Sequence, residues 1–337
     1  MCFYGKDIPV MKFINTGILG VGSAIPPKIV TNFDLEKILD TSDEWIRTRT
    51  GIHERRIVED GVCTSDLATQ AARAAMQSAG VTAAEIDMII VATITPDTIT
   101  PSTACFVQAK LEAINAAAFD ISAGCTGFIY ALSLGHAYIQ SGACKRVLVI
   151  GAEVMSRFLD WQDRSTCILF GDGAGAVLLG PVQEPGILGF KLGADGSQAN
   201  LLIIPGGGTN QPASRSSVEN RQHFIKMCGN ETFKFAVRIM GEVTQEALDA
   251  AGVGKSKLDF LVPHQANLRI IESARKRFEL PEDRVVVNID RYGNMSSASI
   301  PVALDEAIKS GRLKRGHLMA LVGFGAGLTW GAAVVRY

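Results

Sequence analysis

One cysteine in this 337-residue chain stands where a thiol could act as a nucleophile. The run Asp120-Ile121-Ser122-Ala123-Gly124-Cys125-Thr126-Gly127-Phe128 leads from a strand pattern through a turn into a helix pattern, with Cys125 at the junction. A thiol there faces the positive end of the helix dipole and unpaired backbone N–H groups. Both favour thiolate, so a pKa below the reference value of about 8.5 is expected. The commoner fate of such a cysteine is a small buried hydrophobe, and the junction alone leaves both readings open. Cys2, Cys63, Cys105, Cys144, Cys167 and Cys228 lie in patterns without this geometry.

A nucleophilic thiolate needs partners. Val262-Pro263-His264-Gln265-Ala266-Asn267 puts a histidine at the end of an apolar strand pattern, and Tyr292-Gly293-Asn294-Met295-Ser296-Ser297 puts an asparagine ahead of a helix pattern. Each residue alone reads as structural, His264 as a hydrogen-bonded imidazole and Asn294 as a turn residue. Their shared setting at strand ends and helix starts strengthens the joint case. His53, His136, His223 and His317 lack such settings. The glycine runs 171–175 and 323–327 fail the dinucleotide fingerprint at its last position and lead into no helix. Such a turn can instead present a backbone N–H to an oxyanion.

Composition narrows the classes. The chain is 47% apolar and 20% charged, with 33 basic against 34 acidic residues. That excludes disorder and a global basic field for nucleic acid. Seven cysteines at wide spacing with no C-x-x-C argue against a zinc site and a disulfide framework, and fit a cytoplasmic setting. No apolar run reaches the roughly 18 residues of a membrane helix. Residues 1–10 read as an extension, with Met11 as an alternative start.

The elements that would position these residues come in two copies. Ser78-Ala79-Gly80-Val81 and the strand pattern after it recur at Ala250-Ala251-Gly252-Val253. Ile139-Gln140-Ser141-Gly142 recurs at Ile308-Lys309-Ser310-Gly311, and Gly17-Ile18-Leu19-Gly20 at Gly186-Ile187-Leu188-Gly189. Matches in one order at nearly one offset predict a duplicated α/β unit, residues 11–182 and 183–337. Thr64-Ser65-Asp66 is expected to cap a helix that Gly80 ends, and Thr82 with Glu85 to form a capping box. Ile86 to Thr93 and Ala116 to Ile121 read as strands covered on both faces. The segment from Thr126 to Gln140, apolar almost all round, reads as a helix buried between layers. Gly175 to Leu179 and Gly331 to Val335 read as antiparallel closing strands. The duplication brings His264 and Asn294 towards the Cys125 junction.

Five motifs together resemble the beta-ketoacyl-acyl-carrier-protein synthase III family. They are Thr41-Ser42-Asp43-Glu44-Trp45-Ile46 through Arg49-Thr50-Gly51-Ile52, Gly124 to Phe128, Pro263 to Asn267, Gly293 to Pro301, and Phe324 to Gly331. The resemblance runs from about Met11 to Tyr337. It implies a thiolase-like fold, a duplicated βαβαβαββ unit in five layers. It implies a decarboxylating Claisen condensation of an acyl-CoA primer, acetyl-CoA in the commonest case, with malonyl-acyl-carrier protein, initiating fatty acid synthesis. Cys125 would carry the acyl group, and His264 and Asn294 would hold the malonyl thioester oxygen. The N–H groups of Cys125 and Ala326 would form the oxyanion hole, Ala326 standing where glycine is more usual. The resemblance implies no metal and no resident cofactor, CoA thioesters being substrates.

The same resemblance assigns CoA contacts to Trp45, Arg49, Arg164, Thr41 and Asn230, with the adenine between Trp45 and Arg164. It assigns an acidic carrier protein to Gln265, Arg269, Lys276, Arg277 and Lys234, with Arg275 in the same basic run. It puts Thr100 and Phe170 at the acyl pocket, where a threonine leaves room for primers longer than acetyl or branched, and it implies a homodimer. The polar stretch Gly206 to Arg221 is expected to be a surface loop near the entrance. Rival readings are a related enzyme priming a polyketide or secondary-metabolite pathway, and a non-catalytic carrier-protein binder. A degradative thiolase needs a second active-site cysteine near the C-terminal glycine turn, and none follows Cys228. A hydroxymethylglutaryl-CoA synthase needs an acid/base Glu with no evident position here, and a papain-like hydrolase does not fit the element pattern.

Overall fold

The computed structural model describes residues 13–337. The expected extension at residues 1–10 and the alternative start at Met11 lie outside the described residues.

The first half supplies β1 (Thr16–Ala24), α1 (Asp43–Thr50), α2 (Thr64–Ala79), β2 (Met88–Ala92), α3 (Thr103–Leu111), β3 (Ala117–Ile121), α4 (Gly127–Gln140), β4 (Val147–Glu153) and β5 (Gly173–Pro181). Its sheet has the order β1-β5-β4-β2-β3, with β2 parallel to β3 and β4, and β5 antiparallel to β1 and β4. The second half supplies β6 (Ile187–Ala194), α5 (Gly229–Ala250), β7 (Phe260–Pro263), α6 (Leu268–Arg277), α7 (Ser299–Lys309), β8 (Leu318–Gly325) and β9 (Thr329–Arg336). Its sheet has the order β7-β8-β9-β6, with β7 parallel to β8 and β9 antiparallel to both neighbours. The orders match as copies, β1 with β6, β5 with β9, β4 with β8 and β2 with β7. They differ where β3 would recur, because only Val285 bridges Leu261 there.

Helices α4 and α7 lie between the sheets, α2 and α3 cover the first sheet, and α5 and α6 cover the second. The result is five layers, α-β-α-β-α. Burial on both faces explains the unbroken apolar runs of β2 and β4. Each fully buried Ile, Leu or Val there stabilises the fold by about 1.5–3 kcal/mol.

Several local expectations change. The N-cap of α2 is Cys63, one residue earlier than the sequence pattern suggested, and Asp66 accepts its N–H at 2.8 Å. Gly80 ends that helix in the left-handed conformation, as its type requires. Strand β3 is not covered on both faces, because it is the sheet edge and is half-buried or exposed throughout. Helix α4 is not buried all round either. Its first turns sit between the sheets, while Leu134, Ala137 and Tyr138 face outward near its end. The 206–221 stretch holds a helical turn, Arg215–Glu219, and Arg221 anchors it to the buried Asp160 carboxylate at 2.6 Å. Among the described residues no helix is long and apolar enough to cross a membrane.

Candidate active site

Cys125 lies in a 3-10 turn, Gly124–Thr126, directly ahead of α4. At a helix start the N–H has no intrahelical acceptor. The end of β8 is pressed against this turn. A Cβ on Gly325 would stand 2.4 Å from the Cys125 nitrogen, and one on Gly124 would stand 2.6 Å from the Ala326 nitrogen. The amides of Cys125 and Ala326 therefore border one small space, which suits a shared oxyanion. Ala326 is not among the residues with positive φ, so its methyl group carries no left-handed strain. Gly325→Ala is expected to shift the Cys125 amide and slow thioester acylation of the thiol by roughly 10²-fold. Rapid-quench labelling checks this, and a wild-type rate would show that the close approach is immaterial.

His264 follows β7, whose C-terminal end faces the same centre. Its N–H donates to the Val322 carbonyl at 2.7 Å, and its ring meets the Phe324 ring edge-on at 5.7 Å between centroids. Neither ring nitrogen has a hydrogen-bond partner among the described residues. Asn294 is tied down by its backbone, donating to the Leu169 carbonyl at 2.8 Å and accepting from Gly171 N–H at 3.0 Å. Its Oδ1 accepts the Ser296 N–H at 2.8 Å, which leaves Nδ2 as the group offered to the cavity.

Burial dominates the electrostatics. It pushes the Cys125 thiol up to about 12, with Ser296 opposing the effect. The expected fall in the Cys125 pKa is thus overturned. A helix start favours thiolate, but a sulfur 5% exposed loses the hydration that an anion needs. The resting group is a thiol. The same burial holds His264 down to about 3, so the imidazole is neutral and its one N–H is available as a donor.

A narrow cavity of about 80 Å³ is lined by Cys125, His264, Asn294 and Phe324 together. The three residues singled out in the sequence therefore line one small space. A second cavity of about 700 Å³ also reaches Cys125, lined by Thr100, Met155, Phe170, Ile203 and Ile225 among others. Phe170 borders both spaces and bridges to Asn294.

Sequence reasoning missed Glu153. It ends β4, fully buried, and accepts from Thr95 Oγ1 at 2.7 Å and Ile94 N–H at 3.1 Å. An acidic residue closing an otherwise apolar strand is the one signal that could have flagged it.

The outer residues divide. Trp45 sits on α1, with the Arg164 guanidinium 5.4 Å and the Arg49 guanidinium 5.7 Å from its ring centroid. Arg164 also donates to the Asp40 carbonyl. A ring inserted between Trp45 and Arg164 must therefore push the guanidinium off the indole. Thr41 precedes α1 with a buried, unpartnered hydroxyl among the described residues, and Asn230 is exposed at the start of α5. Asn267 ties this region to the histidine loop, donating from Nδ2 to the Arg49 carbonyl at 2.9 Å.

Arg269, Lys276 and Arg277 are exposed on α6, and Lys234 is exposed on α5. Arg275 turns back to Glu272 and the Leu280 carbonyl. Gln265 does not join this surface, contrary to expectation. It is fully buried, donates to the Pro263 and Val286 carbonyls at 2.8 and 3.0 Å, and accepts from Asn288 N–H at 3.0 Å. With both ends of its amide used internally, it clamps the histidine loop instead of meeting a partner.

Comparison with known proteins gives concordant results. Residues 119–196 match the family model of 3-oxoacyl-[acyl-carrier-protein] synthase III, and residues 248–337 match that of its C-terminal region. The beta-ketoacyl-[acyl-carrier-protein] synthase III of Caldanaerobacter subterraneus subsp. tengcongensis is 54% identical over 325 residues, covering 96% of this chain and 98% of that one. The crystal structure of the Aquifex aeolicus VF5 synthase III is 50% identical, with a TM-score of 0.88 over 96% of this chain and all of that one. The priming beta-ketosynthase of the R1128 polyketide pathway is 38% identical, with a TM-score of 0.90 over 98% of each chain.

Proposed function

The chain belongs to the 3-oxoacyl-[acyl-carrier-protein] synthase III family of thiolase-fold, acyl-transferring condensing enzymes, and we propose that it joins an acyl-CoA primer to malonyl-acyl-carrier protein through an acyl group held on Cys125. The observation that carries this reading is the single narrow cavity shared by Cys125, His264 and Asn294.

In the first step the Cys125 sulfur forms a bond to the acyl carbon, the acyl–CoA C–S bond breaks, and the thiol proton ends on the CoA sulfur. The Cys125 and Ala326 N–H groups hold the oxyanion of the tetrahedral intermediate. Covalent capture divides one difficult reaction into two easier ones. In the second step the malonyl carboxylate leaves as CO2. The electron pair moves into the thioester enolate, whose oxygen accepts from the neutral His264 N–H and from Asn294 Nδ2. The α-carbon then attacks the Cys125 thioester. Collapse breaks the C–S bond to Cys125 and releases the 3-oxoacyl-carrier product, and the cysteine sulfur takes up one proton from solvent.

Trp45, Arg49, Arg164, Thr41 and Asn230 would hold the CoA. Exposed Arg269, Lys276, Arg277 and Lys234 would meet the acidic carrier. A homodimer would cover the free edge of β3 and the exposed Ile99 and Ile114 beside it.

The roomy cavity beside Cys125, with Thr100 on its wall, favours primers longer than acetyl or branched. With malonyl-acyl-carrier protein present, kcat/KM is expected to hold within about tenfold as the primer lengthens from acetyl to butyryl or isovaleryl. A steep fall immediately beyond acetyl would remove the idea, and absence of product with every primer would remove the proposed function. Polyketide priming would use the same three residues. The higher identity to fatty-acid-type members favours the first reading.

A further inference from the structure

Near Cys125 the mechanism leaves a buried acid unused. Glu153 sits at the end of β4 with no basic partner among the described residues and desolvation as the main influence on its carboxyl. An unpaired carboxylate in such a place is strongly disfavoured.

Counting protons around it resolves the difficulty. Oε2 has three donors, Thr95 Oγ1 at 2.7 Å, Ile94 N–H at 3.1 Å and Thr93 Oγ1 at 3.2 Å. Oε1 accepts a long contact from Ser297 N–H at 3.4 Å and lies 2.8 Å from Ser297 Oγ, and that same hydroxyl lies 2.7 Å from the Ala92 carbonyl oxygen. The hydroxyl has one proton for these two neighbours. A backbone carbonyl can only accept, whereas a carboxyl can donate once protonated, so both short contacts are satisfied when the hydroxyl proton goes to Ala92. The short contact to Oε1 then needs a proton from the glutamate.

We propose that Glu153 is held as a neutral carboxylic acid that donates to Ser297 Oγ, and that it is a positioning residue clamping the Asn294–Ser297 turn against Cys125 without placing a charge near the sulfur. Burial raises the Glu153 carboxyl, in agreement. The clamp acts on a strained segment, since Ser296, next to Ser297, holds φ at 46° and its N–H fixes Asn294 Oδ1. Ser296 Oγ is close enough to both Cys125 and Glu153 to influence them, yet completes no hydrogen bond of good geometry. An ionised Glu153 would oppose thiolate formation on Cys125, so neutrality serves the chemistry.

The titratable groups around the sulfur are Glu153 at the end of β4, His264 after β7, and Asp120 on β3, which is engaged with the N–H groups of Thr103 and Ala104. Facing Glu153 itself are Cys125 and the neutral Thr93, Thr95, Ser296 and Ser297. Asp172, beside its cross-strand partner Gly173, is occupied by Ser156 and Val58 N–H.

The inference rests on Cys125 being the nucleophile, and its test is read without turnover. Glutamine reproduces one donor and one acceptor, so the pH midpoint of Cys125 alkylation by iodoacetamide is expected to stay in place in Glu153→Gln. A downward shift of about one pH unit or more would mean that a charge had been removed, and would overturn the proposal. The infrared band of a protonated carboxyl, assigned by its loss in Glu153→Gln, is expected in the resting protein, and its absence would also overturn it. Glu153→Ala is expected to lose at least about tenfold more in malonyl decarboxylation than in Cys125 acylation, because Asn294 is freed. Equal losses would contradict the clamp, and if that variant fails to fold, the glutamine profile and the infrared band still decide. A failure of acyl transfer in the wild type would strike the proposed function and leave the glutamate's protonation untouched.

Discussion

Replacing His264 or Asn294 with alanine is expected to separate the two halves of the reaction. Each variant should still take an acyl group onto Cys125, because the Cys125 and Ala326 amides proposed to hold the acyl oxyanion are untouched. Each should lose malonyl decarboxylation by about 10²–10³-fold, the usual cost of one preorganised donor to a developing enolate. The double variant should fall by less than the product of the two, since both donors serve one oxygen. The pH profile carries a second signature. Burial holds His264 down to about 3, so the imidazole stays neutral through the ordinary histidine range and gains no positive charge that would strengthen its donor. Decarboxylation should show no step, up or down, as pH drops through about 6.5, the value of an unperturbed histidine. Half-reactions followed separately, by acyl labelling and by release of CO2, check both statements. Equal loss of acylation and decarboxylation would contradict the assigned roles.

The second large effect is expected at the sulfur. Cys125→Ser should abolish covalent acylation and lower condensation by at least about 10⁴-fold, the scale seen when a covalent nucleophile is removed. A site that pushes a thiol up to about 12 makes a serine hydroxyl, a far weaker acid, almost unreactive. The decarboxylation of malonyl-acyl-carrier protein should survive better, because His264 and Asn294 remain. Mass spectrometry for the acyl group, with CO2 release measured alongside, separates the outcomes. A serine variant that still condenses at a substantial rate would show that the acyl group never rests on residue 125.

Much of this architecture is legible in the sequence because duplication leaves local marks. Gly80 and Gly252 end equivalent helices, and the strands after them stay apolar because both faces are covered. Cys125, His264 and Asn294 are legible for the same reason, since each stands at a strand end or helix start where side chains of an α/β fold converge. What the sequence hides depends on packing between the halves. The Cys125 junction announces a helix dipole but says nothing of the β8 turn that closes over the sulfur and removes its water. Gln265, adjacent to the histidine, looks like a surface amide until the Val286–Ile289 segment folds onto it. Glu153 looks like the polar end of a strand, and only the Ser297 turn from the other half makes it a buried acid. The outward side of α4 and the free edge of β3 are equally invisible, because an apolar residue at a surface carries the same letter as one in a core.

Intact-mass spectrometry of the wild-type protein after exposure to a mixed acyl-CoA pool, followed by peptide mapping, goes straight to the sulfur. One acyl group per chain, carried on Cys125 and discharged when malonyl-acyl-carrier protein is added, is the expected outcome. A chain that consumes both substrates while carrying no acyl group, or carrying it on another residue, would contradict the assignment of Cys125 as the nucleophile.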